Sequence, residues 1–370
     1  MASVIARDPC KLYFERFIFM AALLIPAVFL MGWRALAVTA LCLIVSLLTD
    51  WVCCKVRRVK YDIKDTSVLF WGLALAMLMP SSIPYVYAGL GSVICILIGK
   101  HLFGGRENVV FSPPALAAAF LIICYPSEML YYPKTGQIMP MLMDDFGGLL
   151  SRGLDNTLKL GNIPSQSVFD ILMGNIPGAI GAVSIMVVLV CGICMLIRRS
   201  TSICAFVSCI GMVSLLAFIY PRIDVSGFES IFYELCSGYM LFGMVFLAAE
   251  PYIAPERRAA RVLYGIVLGY TVMMFRYFGQ TEGCFVFALL ITNALTNGFD
   301  TIIDNLSYWK KNYIVSFEHN KNAAQKGNIK LTDTQEIQLP EKYRYNTPPI
   351  DGKIKKHRRK KKSKGASKDE

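Results

Sequence analysis

Residues 97–126, LIGKHLFGGRENVVFSPPALAAAFLIICYP, set the character of the whole chain. One apolar run ends in a basic, glycine-rich turn and a second starts at Ser-Pro-Pro, the pattern of two membrane spans meeting at a short polar loop. Gly104 and Gly105 admit positive φ or the close approach of a flat partner. Ser112 has the side chain of a helix N-cap, and Pro113 and Pro114 suit a first helical turn. Two readings of this turn stand side by side: a ligand-holding element, or a tight connection of the kind that glycine and proline commonly punctuate.

The rest of the chain carries the same signal. With 55% hydrophobic and 17% charged residues and a mean hydropathy of +0.48, the composition is that of a polytopic all-α membrane protein and excludes an ordinary soluble domain. Most of the 12 cysteines, Cys42, Cys95, Cys124, Cys204 and Cys209 among them, sit inside apolar runs and read as small buried hydrophobes, so no disulfides are assigned. Cys191 and Cys194 have CxxC spacing within IMVVLVCGICMLI, but no second ligand pair lies nearby, which favours packing over metal or redox chemistry. The first apolar run follows Arg7, Lys11 and Arg16 without a small-residue cleavage site and reads as a retained helix.

A span needs roughly 20 apolar residues, and about ten candidates are found. They cover 17–32, 35–56, 67–79, 85–99 and 114–125, then 178–197, 202–220, 231–249, 262–275 and 283–303. The run 67–79 is short and ends at Pro80 and Pro84, so it must be buried in protein or line a cavity. Placing both termini inside puts the basic loops, with Lys55, Arg57, Arg58, Lys60, Lys64, Lys100, Arg106, Arg198, Arg199, Arg257, Arg258 and Arg261, on one side. The glycine-rich turn is then cytoplasmic. Residues 127–176 form an outer segment too long for a plain connector, either packed on the outer face or mobile. Residues 1–303 thus read as the transmembrane helical domain, and 304–370 as a basic, largely disordered cytoplasmic tail that suits anionic lipid and not nucleic acid.

Catalytic constellations are scarce. The 3 histidines, His101, His319 and His357, support neither a metal centre nor a Ser-His-Asp arrangement, and there is no phosphate-binding P-loop. Carboxylates near membrane depth are more informative, because they are costly there and mark ion paths or buried polar sites. Glu250, in FLAAEPYIAP, and Glu282, in FGQTEGCF, are the ion-path candidates; the competing reading is two interfacial residues wetted by headgroups.

Several segments carry a family resemblance: GWRALAVTALCLIVSLLTDWV, DTSVLFWGLALAMLMPSSIPYVYAGLGSVICILIGKHLFGG, GNIPGAIG, SGYMLFGMVFLAAEP and TEGCFVFALLITNALT. In order and spacing, over residues 7–304, the chain resembles the D subunit of the Rnf electron-transport complex and, more distantly, the B subunit of the sodium-pumping NADH:quinone oxidoreductase. The resemblance implies two inverted repeats of about five helices each. It implies a bacterial inner-membrane subunit, in a complex with other Rnf-type subunits, coupling electron transfer of the ferredoxin or NAD type to sodium or proton transport. It also implies noncovalent riboflavin or FMN, with Gly104, Gly105, Asn108 and Ser112 as contact residues.

The departures from the family pattern carry expectations of their own. Family members esterify FMN to the Thr of a Ser-x-Ala-Thr motif in the outer loop; anchored on Leu158 and Lys159, that position is Gly153 here, with Thr157 nearby in a different context. Ester-linked FMN is therefore not expected. The family's Asn-Pro-Ala after the turn is replaced by Glu107, Asn108 and then Ser112-Pro113-Pro114, and its Asp before Pro by Glu250. The alternative function is a redox-silent scaffold or transporter-like pore on the same fold.

Overall fold

Proline and glycine decide where the helices stop. The first apolar rod, Cys10–Met31, consists of α1 (Pro9–Ala21) and α2 (Leu24–Met31). It is interrupted between them because Pro26 has no N–H to return to Ala22. Gly32, at φ +84°, turns the chain into α3 (Trp33–Val56); a Cβ there would stand 2.6 Å from Ile138 Cγ2. The computed structural model describes residues 9–62, 64–142, 148–248, 250, 252–279 and 283–309. These all belong to the first of two compact units, Met1–Lys311. Glu282 and residues 310–370, most of the basic tail, lie outside the described residues.

After α3 come α4 (Ser67–Leu78) and α5 (Tyr85–Ile96), which runs on as a π-helix over Leu97–Leu102. The glycine-rich turn follows, then α6 (Pro113–Cys124). The outer segment packs α7 (Pro126–Met129), an antiparallel pair β1 (Tyr132–Pro133) and β2 (Leu150–Ser151) with Tyr132 opposite Ser151, α8 (Leu154–Lys159) and α9 (Val168–Met173). Met129, Tyr132, Leu154, Leu158 and Ile171 anchor it by burial.

The second half begins with α10 (Ile185–Ile197) and α11 (Ile203–Ile219). It continues with α12 (Gly227–Cys236), α13 (Met240–Phe242) extended as a π-helix over Gly243–Leu247, and α14 (Arg258–Phe278). It closes with α15 (Cys284–Ala294) and α16 (Thr296–Trp309).

Among the described residues, four helices are long and apolar enough to cross a membrane: Cys10–Met31, Trp33–Val56, Tyr85–Leu102 and Arg258–Phe278. Two bent pairs, Gly227–Cys236 with Met240–Leu247 at 68° and Cys284–Ala294 with Thr296–Trp309 at 49°, bring the number to 6 if each is one span. The chain is a helical, multi-pass membrane protein. Residues 178–184, expected to be helical, instead run as a turn before Ile185.

That turn is explained by α4. All of α4 except Leu69 is buried, so it lies at the centre of the bundle, and it stops abruptly before Pro80. The carbonyls it leaves open cannot reach water and must find partners in protein. Ile180 N–H donates to Met79 O at 3.0 Å and Gly181 N–H to Met77 O at 2.9 Å. The approach is so close that a Cβ on Gly181 would meet Met77 Cβ at 2.6 Å. On the next residues, buried Arg34 donates from Nε to Ser81 O (2.9 Å) and from Nη2 to Ile83 O (3.2 Å), with its guanidinium 4.7 Å from the Tyr85 ring centroid. A broken helix is thereby satisfied from two distant parts of the sequence.

Candidate functional site

Two π-helical turns interrupt the helices of the bundle, and such turns often mark functional sites. The first, Leu97–Leu102, packs Gly99 so tightly on α6 that a Cβ would stand 2.5 Å from Pro113 Cβ. The second, Gly243–Leu247, requires Gly243 because a Cβ there would run into the Phe285 ring. Three residues past it stands Glu250, only 1% exposed.

The Glu250 carboxylate is reached from both halves of the chain. Trp71 Nε1, one turn into α4, donates to its Oε1. Ser112, at the start of α6, faces the same carboxyl, whose Oε2 has no hydrogen-bond partner among the described residues. The positive end of the α6 dipole adds to this environment. Beneath Ser112, Asn293 of α15 is best oriented with its amide nitrogen donating to Tyr264 Oη (2.8 Å) and Leu289 O (3.2 Å) and its oxygen accepting from Ser112 N–H (3.2 Å). Ser112 and Glu250, named separately in the sequence, therefore belong to one site. An isolated carboxylate in such a place is costly, so it has either an ionic or protonic role or a structural pinning role.

Gly104, Gly105 and Asn108 lie elsewhere, at the bundle end. Both glycines have the expected positive φ, +103° and +125°. Their N–H groups are already used, however: Gly104 donates to His101 O (3.3 Å) and Gly105 to Lys100 O (3.0 Å), capping the π-helix. Asn108 N–H closes onto Gly105 O at 3.2 Å.

Beside this turn is an ion network that the sequence did not single out. Lys100 Nζ lies 2.7 Å from Asp50 Oδ1 and 2.9 Å from Asp65 Oδ2, and Arg106 Nη1 lies 3.1 Å from Asp65 Oδ1 and 2.9 Å from Cys10 Sγ. His101 Nε2 is 2.8 Å from Asp50 Oδ1, while its Nδ1 is 3.3 Å from Arg57 Nη1. The Arg57 guanidinium, which only donates, also reaches His101 O at 3.4 Å. His101 so links Asp50 to Arg57, and the ligand atoms of Asp50, Cys54 and His101 lie within 4.8 Å of one another. Burial pushes the Asp65 carboxyl up, but the Lys100 charge, the Ser67 hydrogen bond and Arg106 outweigh it and hold Asp65 below its ordinary range.

A second network closes the opposite end. Arg222 binds Asp155 (2.6 Å) and Glu234 (2.5 Å), and Arg276 binds Glu234 (2.7 Å) and donates to Ser237 O (2.9 Å). It ties the outer segment, through α8, to the ends of α11 and α14. Gly153, the N-cap of α8, has no hydroxyl, and Thr157 is half-buried within that helix. These networks had a sequence signal: Asp50, Lys100, Glu234 and Arg276 each interrupt an apolar run, and only their pairing was hidden.

A flavin fits these residues in part. The cavity beside the turn, of about 200 Å³, has Arg57 and Lys60 at its wall for a phosphate, but the N–H groups of Gly104 and Gly105 are already taken. Its volume is below the roughly 300 Å³ at which small-molecule sites begin.

Short apolar helices, breaks satisfied from within the protein and a buried acid at one break define a polytopic membrane protein of the ion-handling kind. The profile described as the NQR2, RnfD, RnfE family matches residues 8–308, and the chain belongs to that family. It is 27% identical over 305 residues to the D subunit of the ion-translocating oxidoreductase complex of Stutzerimonas stutzeri, covering 76% of this chain and 86% of that protein. To the corresponding protein of Halorhodospira halophila it is 23% identical over 295 residues, covering 73% and 83%. To the B subunit of the Na(+)-translocating NADH-quinone reductase of Pseudomonas aeruginosa it is 27% identical over 248 residues, covering 65% of this chain and 58% of that one.

Proposed function

We infer that the chain is the membrane subunit of an ion-translocating oxidoreductase complex and that Glu250 lies on the path of the coupled sodium ion or proton. The observation that carries this reading is the buried Glu250 carboxylate, held by Trp71 and faced by Ser112 at the break that follows Leu247. The other subunits of an Rnf-type complex in a bacterial inner membrane are the proposed partners, with the basic tail on anionic lipid.

The two bent pairs, the four long helices and the four shorter apolar ones, α4, α6, α10 and α11, support ten crossings. Their packing supports two inverted halves, since α3 packs on α5 as α11 packs on α14. An ion network lies at each end of these halves: Asp50, Asp65 and Lys100 join α3, the start of α4 and the end of α5, and Arg222 just past α11, Glu234 of α12 and Arg276 of α14 join at the other end. Cytoplasmic termini are supported by Arg106 meeting Cys10, Arg198 meeting Glu15 and Arg57 meeting His101, which gather the basic loops at one end.

The flavin is proposed as noncovalent. Gly153 favours a second reading, a redox-silent scaffold, because the attachment hydroxyl is missing. The test is ion uptake by the assembled complex in vesicles. Glu250→Gln is expected to lower uptake about tenfold or more with insertion intact; undiminished uptake would leave Glu250 as a structural pin.

A further inference from the structure

On the side of the bundle away from the glycine-rich turn, an apolar groove of about 190 Å³ lies where the first rod ends. Its apolar walls are Phe29, Leu30 and Met31 of α2, Ile138 of the outer segment, and Ile176 and Val183 before α10, and Gln137 and Asn175 also line it. Lys134 and Thr135 stand at its rim. The groove is continuous with the apolar face of that rod, on which Ile25 is 64% and Phe29 82% exposed. A span end with such a face sits at the headgroup and acyl-chain boundary. Lys134 makes no ion pair among the described residues, and a single ammonium over an apolar slot complements an anionic headgroup above a hydrocarbon chain.

We propose that this groove, too small for a whole lipid tail, holds the headgroup-proximal part of one acyl chain of a phospholipid from the leaflet on that side, with Lys134 at the phosphate. The floor is formed where Ile138 seats on Gly32 and where Gly174, at φ +95°, comes close to Leu30 and to Val183 O. The bound lipid fills the space between the α2 end and the outer segment, and fixes residues 133–138 against the membrane.

The test uses the full chain in vesicles of phosphatidylethanolamine and phosphatidylglycerol, with a phosphatidylglycerol that carries a photoreactive diazirine along one acyl chain. Labelled peptides should include 29–31 and 174–183. Lys134→Glu should lower their labelling about fivefold, the effect of one cation at an anionic headgroup, without changing labelling along α11. Thr135→Trp, an exposed rim position, should block the groove and remove labelling there while melting stays unchanged. Labelling of these peptides no stronger than along α11, or unaltered in both variants, would overturn the proposal. Protection of the groove by another subunit in the assembled complex, with no lipid label, would overturn it as well and assign the slot to protein.

Discussion

Arg58 and Arg199 each occupy φ +56°, the left-handed position that follows a helix, although glycine is the residue that adopts it without a steric cost. Each closes a helix end in the same way: Val59 N–H reaches Cys54 O after α3 and Ser200 N–H reaches Met195 O after α10. Arg58→Gly and Arg199→Gly should each stabilise the protein by up to about 1 kcal/mol, read as a raised melting temperature in detergent. Gly153 stands at the chemical extreme, since no phosphoester can form without a side-chain oxygen. Denatured protein should show no fluorescent flavin band on an illuminated gel, and a band that vanishes in Thr157→Ala would reverse this and restore a covalent site.

The helices and their breaks differ in how much of them the sequence discloses. Most of the apolar runs are helical in the structure because hydropathy acts locally, as do Pro80 and Pro84 at the end of one of them, whereas the break at Pro26 goes unread in the run 17–32. The partners of a break are non-local and leave no such trace. Nothing in NIPGAIG announces that Ile180 and Gly181 will serve the carbonyls of Met79 and Met77, and this is why residues 178–184 read as helix in the sequence. Glu250 is legible as an acid among apolar residues; Trp71, a tryptophan in an apolar helix, is not legible as its donor. The backbone approach can be tested directly. Gly181→Val should cost about 1–3 kcal/mol through overpacking against Met77 and lower the yield of folded protein. Gly211→Ala, in α11 with open space around it, should instead be neutral or stabilising.

Across the whole molecule, charge is sorted by end. With the basic loops at the Cys10 end and the outer segment bound to Arg222 and Arg276 at the other, cysteines placed at Lys60 and Ser363 should escape labelling by an impermeant reagent in intact cells, whereas one at Lys134 should react. Labelling at 363 from outside would refute an even number of spans.

The mutual dependence of α4 and residues 180–181 also bears on how the chain is made. As α4 leaves the ribosome, the carbonyls of Met77 and Met79 have no protein partner, and lipid supplies none. The helix must therefore wait, sheltered in the insertion machinery or in water, until NIPGAIG is synthesised much later. A nascent chain released before Ile180 would expose an open helix end in the bilayer and be a ready target for membrane proteolysis, so the order of synthesis makes residues 180–181 a late-arriving chaperone for α4.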